Sequence, residues 1–271
     1  MSGTIRFDYY YASDIYMDVD GLSGTLDINV SVGISNNSNQ SLWFQITLLS
    51  PPGGYSSYDQ NLGGITSHNN SMFSWMFDRA FPSLSSGEAQ DSLTIKISAY
   101  TDGSYTNLYT SVTDTITVNI IDSSDASWSV SNTNTFEGGV SGFYADDWWT
   151  YWEGANYGAP TQSSTHKYSG SYSISLGGSS SYACIKEQIA YFGTGITKGY
   201  LIFHYYKAPS VGFSVRVSGG TVFNYRLFGM LHNQWVRVCL PISTSAGWKE
   251  ARFAASAKDL LWLDNIRIVG K

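Results

Sequence analysis

The run from Tyr144 to Trp152 sets Asp146 and Asp147 beside Trp148, Trp149, Tyr151 and Trp152, and Glu153, Asn156 and Tyr157 follow directly. A pyranose ring offers an apolar C–H face and a rim of hydroxyls, so a protein meets it with exposed aromatic planes flanked by fixed polar groups. Here Trp148, Trp149, Tyr151, Trp152 and Tyr157 supply planes, and Asp146, Asp147, Glu153 and Asn156 supply hydroxyl partners. These are the expected ligand contacts, with Tyr205, Tyr206 and Trp248 as further candidates. The same rings could serve instead as core or as a contact with another chain. Strand alternation would send Trp149 and Tyr151 to one face and Trp148 and Trp152 to the other.

The elements that must position them read as strands. Thr25 to Ile34 alternates apolar and polar residues and breaks at the Ser/Asn/Gln run 35–40; Leu42 to Leu49 resumes the alternation until Pro51, Pro52, Gly53 and Gly54 stop it. Ser71–Phe77, Ser92–Tyr100 and Thr113–Ile121 continue the period of two. The second half predicts strands at Ser171–Leu176, Ser181–Ala190, Gly199–Lys207, Phe213–Val217, Trp235–Ile242 and Leu260–Val269, while Gly247–Ala257 reads as a turn of helix or as strand and loop. Facing sheets bury the alternating residues of every such strand, so an all-β chain of two β-sandwiches is expected.

Length and composition agree. The 271 residues exceed one ordinary domain, charged residues are only 13%, and hydrophobic residues at 42% suffice for two cores. Residues 1–125 hold 3 Lys and Arg against 13 Asp and Glu, and residues 126–271 hold 12 against 8. An acidic first half, and a second half without a dense basic run, argue against a nucleic-acid partner. No apolar run is long enough to cross a membrane, and the start at Met1 lacks the basic and apolar regions of a secretory leader, so a leader has been removed or export follows another route. Cys184 and Cys239 have no metal-like spacing; a disulfide and two buried thiols remain equally open. Asn29, Asn36, Asn39 and Asn69 each begin an Asn-x-Ser triplet, in accord with an extracellular or virion surface.

The order of elements in the second half resembles β-jelly-roll carbohydrate-binding modules and galactose-binding-like domains. Phe136-Glu137-Gly138 opens it, and the aromatic loop around Trp148 follows. Then come Tyr168-Ser169-Gly170-Ser171-Tyr172-Ser173-Ile174, Trp235 to Ile242, and Leu263-Asp264-Asn265-Ile266. The resemblance covers about half of the chain and implies a non-catalytic module that takes a glycan or polysaccharide. It also implies a structural calcium ion held by Glu137 and Asp264 with backbone groups near Lys167 and Ser169, since calcium takes six to eight oxygens. Gly138 stands where relatives often carry Asp, and the alternative is that both carboxylates satisfy turn amides or pair with Lys and Arg. The first half resembles an immunoglobulin-like or fibronectin-like sandwich, without the Cys-Trp-Cys pattern of antibody domains.

The search for catalysis returns little. Adjacent Asp146 and Asp147 would point to opposite faces of a strand and so do not form a glycosidase pair. His68, His166, His204 and His232 are scattered, with neither a His-x-His nor a His-Glu-x-x-His spacing. His204 between Phe203 and Tyr205 could line a cleft, where a Tyr-His-Arg set would indicate a polysaccharide lyase, but lyase jelly rolls are larger than this half-chain.

The expectation is therefore an immunoglobulin-like sandwich over 1–122, a linker and strand entry over 123–133, and a jelly roll over 134–271. The jelly roll would bind carbohydrate without catalysis, and the first domain would space or dock it. A viral structural protein, acting as capsid decoration, turret or spike with homo-oligomer or virion partners, is the alternative.

Overall fold

Alternation with period two governs the computed structural model, which describes residues 5–8, 14–56, 59–131, 133–140, 142–145, 159–176, 183–209, 211–226, 231–256 and 260–271. The chain is all-β, and among the described residues there is no helix. It divides into two compact units, Met1–Ile15 with Val19–Ile121, and Tyr16–Asp18 with Asp122–Lys271.

In the first unit, β1 (Ile5–Asp8), β3 (Thr25–Asn36) and β6 (Asn69–Ala80) form one sheet in the order β1-β3-β6. A second sheet runs β2-β8-β7-β4-β5, from β2 (Asp14–Asp18), β8 (Leu108–Ile121), β7 (Glu88–Tyr100), β4 (Leu42–Leu49) and β5 (Asp59–Ile65). Every second residue of β4, Leu42, Phe44, Ile46 and Leu48, is buried, and so are Leu93, Ile95 and Ile97 of β7 and Ile116, Val118 and Ile120 of β8. Trp75 and Phe77 of β6 add rings 4.4 Å apart to that core. β5 was not expected from the sequence because it starts with three polar residues and carries Gly63 and Gly64 before Ile65; as an edge strand it needs only one paired side.

The second unit has two sheets. One follows β11-β12-β19-β14-β17, built from β11 (Thr161–Ser163), β12 (Ser173–Ser175), β19 (Leu261–Gly270), β14 (Gly199–Lys207) and β17 (Val236–Pro241), and the short β9 (Ser129–Val130) pairs with the end of β19. The other follows β10-β13-β18-β15-β16, built from β10 (Tyr144–Ala145), β13 (Ala183–Phe192), β18 (Gly247–Ala255), β15 (Phe213–Ser218) and β16 (Phe223–Arg226). Phe203 of β14 packs edge-on against Phe253 of β18 at 5.2 Å, and Tyr205 meets Phe213 at 5.2 Å, so these side chains form the core between the sheets. The stretch 123–133, expected as linker and strand entry, buries Ser123 and Trp128 and adds β9 to a sheet. Gly247–Ala255 is strand throughout. Cys239 is a free buried thiol, so the disulfide alternative falls; burial pushes its pKa up.

Glu187 lies opposite Ala251, on the inward face of β13, and its Oε2 is buried without a hydrogen bond among the described residues. Gly142, at φ +81, lies against its carboxyl, where any Cβ would collide. Desolvation pushes the Glu187 pKa from 4.5 up to about 7. The folded state therefore holds this proton more tightly than the unfolded chain, so its contribution is complete below pH 4.5 and lost as pH rises through 7. Glu187→Gln is expected to raise stability at pH 8 by about 1 kcal/mol after allowance for partial solvent screening, and to leave pH 4 nearly unchanged. Urea denaturation at both pH values checks this, and an equal shift at both would contradict it.

Candidate functional site: an aromatic sheet face and a carboxylate-capped turn

Along β18 the inward positions are Lys249, Ala251, Phe253 and Ala255, all buried, so Trp248, Glu250 and Arg252 lie on the outer face. The usual pattern is inverted at one step: Trp248 is 54% exposed and its neighbour Lys249 is fully buried. Burial of the lysine is tolerable because Nζ donates to the carbonyls of Gly219 and Ser245 and sits 5.1 Å from the centre of the Phe192 ring. The register places Tyr191, 62% exposed, directly opposite Trp248, with ring centres 5.6 Å apart and planes at 74°. Tyr144 of β10, 52% exposed, pairs with Lys186 on the same face. Between the rings, Arg252 Nε lies 2.7 Å from Glu250 Oε1, which also accepts the Ser218 hydroxyl at 3.4 Å. Aromatic planes flanked by a fixed carboxylate, guanidinium and hydroxyl are a set that can stack on a sugar and hold its hydroxyls.

A cleft of about 360 Å³ adjoins this face, lined by Ser129, Val130, Ile189, Ile196, Trp248 and Ile268 among others. It lies where the second half of β13 becomes an edge, since among the described residues β10 pairs only with Lys186 and Ile185. The register shift between Gln188 and Ala190 marks a bulge there, and bulges bend an edge away from its neighbours.

Glu137 and Asp264 are brought to one turn. Glu137 Oε1 accepts the amides of Ser171 and Tyr172 at 2.9 and 3.0 Å; Asp264 Oδ2 accepts those of Tyr168 and Ser169 at 3.1 Å, and Oδ1 accepts that of Asn265 at 2.7 Å. The Ser169 hydroxyl reaches Asn265 Oδ1 at 3.1 Å, and Lys167 is exposed at the start of the turn. Asp264 is fully buried, and desolvation raises its pKa, with the charge of Glu137 adding to the rise. Among the described residues no lysine or arginine pairs with either carboxylate, and no group of three His, Cys, Asp or Glu gathers. Both side chains offer carboxylate oxygens, the donor type that a hard cation takes. Gly170, at φ +61, sits against the Glu137 carboxylate, and a Cβ there would collide with it. Gly170→Ala is expected to cost about 2 kcal/mol, through left-handed strain and displacement of Glu137 from its amides. The urea midpoint reads this directly, and an unchanged midpoint would dismiss it.

Other expected residues are distributed differently. Asp146, Asp147, Trp148, Trp149, Tyr151, Trp152, Glu153, Asn156 and Tyr157 lie outside the described residues. Tyr205 is no surface group; it is fully buried and its hydroxyl donates to the Leu231 carbonyl at 3.1 Å. Tyr206 is half-buried, stacked on His166 at 3.8 Å. Tyr168, His204 and Arg237 do come together, the tyrosine ring stacked on the imidazole at 3.6 Å and Arg237 Nε donating to His204 Nε2 at 3.1 Å. Burial, with Arg237 and Arg267 nearby, lowers the His204 pKa to about 3. The imidazole is therefore neutral at ordinary pH, 2% exposed, and its acceptor nitrogen is occupied, so it is no general base. Tyr191 was not singled out in the sequence; its signal was the pairing with Trp248 across two strands distant in sequence.

No family model matches the chain, and no curated protein matches it. Among solved structures, a xylan-binding domain from CBM 22 is similar at 17% identity, covering 51% of this chain and 92% of that one with a TM-score of 0.36. A structure described as carbohydrate-binding modules from the β-sandwich superfamily is similar at 10% identity over 98% and 97% of the two chains, with a TM-score of 0.35. TmCBM61 in complex with β-1,4-galactotriose is similar at 12% identity over 53% and 88%, with a TM-score of 0.32. These likenesses are low in identity and in TM-score, and the all-β fold class rests on this chain's own strands and sheets.

Proposed function

We propose that the second unit binds carbohydrate without catalysis, through the outer face of the β10-β13-β18-β15-β16 sheet. The observation that carries this is the exposed strip Tyr144, Tyr191 and Trp248 beside the Glu250–Arg252 pair. Isolated exposed rings are ordinary on protein surfaces, but three on one sheet face with an ordered ion pair between them make a platform with a polar rim. The run from Asp146 to Tyr157 follows Tyr144 and Ala145 of β10 in sequence, and we assign Trp148, Trp149, Tyr151, Trp152, Tyr157, Asp146, Asp147 and Asn156 to the same function.

Calcium is proposed as a structural ion of the turn, held by Glu137 and Asp264 with backbone groups near Lys167 and Ser169. Its charge would offset two acidic groups that have no cationic side chain beside them among the described residues. An immunoglobulin-like reading of the first unit is supported by its strand order, β3 beside β6 in one sheet and β8-β7-β4 in the other. That unit would act as spacer or docking module on a cell or virion surface, where several copies raise weak affinity per site.

A glycan array probed with the whole chain, with calcium and with chelator, tests the reading. Retention on a defined glycan class is expected. Folded protein that binds nothing across a broad array would end the proposal.

A further inference from the structure

We infer that the cleft beside Trp248 is a subsite for an acetamido group, so that the preferred ligand is an N-acetylated sugar. This rests on the carbohydrate-binding reading of the same sheet face and specifies its ligand. Three features of the cleft converge on that group. Its volume, about 360 Å³, lies at the low end of the roughly 300–1,000 Å³ that small-molecule sites span, room for a single ring and its substituent rather than a length of polymer. Val130, Ile189 and Ile196, each at least partly exposed, make one part of its otherwise polar lining apolar, which hydroxyls alone would not repay but a methyl group would. Its wall includes the edge of β13 from Ile189 to Phe192, which beyond Lys186 has no partner strand on that side among the described residues. A free strand edge presents backbone N–H and C=O groups in alternation, and an acetamido group carries one of each to meet them.

The mouth of the cleft fixes the rest of the ligand. Trp248 belongs both to the lining and to the exposed face, and Tyr191 stands beside it with its plane turned by 74°. Two rings at that angle form a corner, not a flat shelf. A sugar stacked on one ring has the other at its edge and its substituent directed at the cleft, whereas the flat surface of a crystalline polymer could rest on one ring only. The bulge at Gln188–Ala190 belongs to this arrangement, since it lets Ile189 contribute to the lining without a place in the register with β18.

The test uses the whole chain and matched pairs of probes, N-acetylchitotriose against cellotriose and chitosan trisaccharide, and N-acetylgalactosamine against galactose. Saturation-transfer NMR and titration calorimetry are read together. The acetylated member is expected to bind at least tenfold more tightly, with its methyl protons receiving the strongest saturation. Val130→Trp, which fills the cleft from a position 47% exposed on β9, should erase that preference while binding of the non-acetylated partner persists. Equal affinity within the pairs, or a methyl group without saturation, overturns the subsite and leaves carbohydrate binding standing if the array has found another ligand. Silence from every probe and from the array overturns both.

Discussion

Trp248→Ala is expected to weaken glycan binding about thirtyfold while the melting temperature moves by no more than about 4 °C, a separation that follows from where the ring sits. At 54% exposure the indole contributes little to the core, and its backbone remains in register with Tyr191 of β13. The ring packs on Tyr191 at 5.6 Å, so the loss to folding is one exposed aromatic pair, about 1 kcal/mol or less. For a ligand the ring is a stacking plane of the kind that dominates small interfaces, worth about 2 kcal/mol when truncated. Tyr191→Ala should produce a smaller loss, because it removes the corner but leaves the plane. Tyr109→Ala, an exposed tyrosine of β8 in the first unit, should change nothing. Calorimetry with the ligand found on the array gives the affinities, and equal binding by Trp248→Ala and the wild type would remove this face from the mechanism.

How much of this was legible in the sequence depended on what fixes each residue. The strands Leu42–Leu49 and Gly199–Lys207 were read to their ends, because their inward residues face a core on which no ligand makes demands. Gly247–Ala255 was ambiguous for a physical reason: Trp248 outside and Lys249 inside reverse the hydrophobic alternation that continues through Ala251 and Phe253. That reversal is also the trace in the sequence of the proposed binding face. Folding alone would hide the indole and expose the ammonium, so a sequence that does the opposite has another use for the ring. What no single stretch could reveal was the register that sets Tyr191 against Trp248, or the bulge that shapes the cleft; both arise from pairing across distant strands. Glu137 and Asp264 were legible only through resemblance, since nothing local says that both carboxylates will reach amides of the turn 168–172.

Asp264→Ala is expected to be the most destabilising single change in the second unit's polar groups, by about 4 kcal/mol. The carboxylate is fully buried and accepts the amides of Tyr168, Ser169 and Asn265, so truncation leaves donors without an acceptor rather than deleting a balanced pair. The ion has a separate signature. The Asp264 pKa is raised, by desolvation first and by Glu137 in addition, so the group taken alone contributes stability that is complete below 3.8 and is lost as pH rises through its folded value. A bound cation reverses that trend, because it favours the ionised form and competes with protons for it. Millimolar calcium should therefore raise the melting temperature at pH 7 by about 5 °C over chelator, lose most of that effect by pH 4, and do nothing for Asp264→Ala. Identical melting with calcium and with chelator at pH 7 would leave the turn amides as the sole partners of both carboxylates. The cost of Asp264→Ala would still stand in that case, since it arises from the amides and not from the metal.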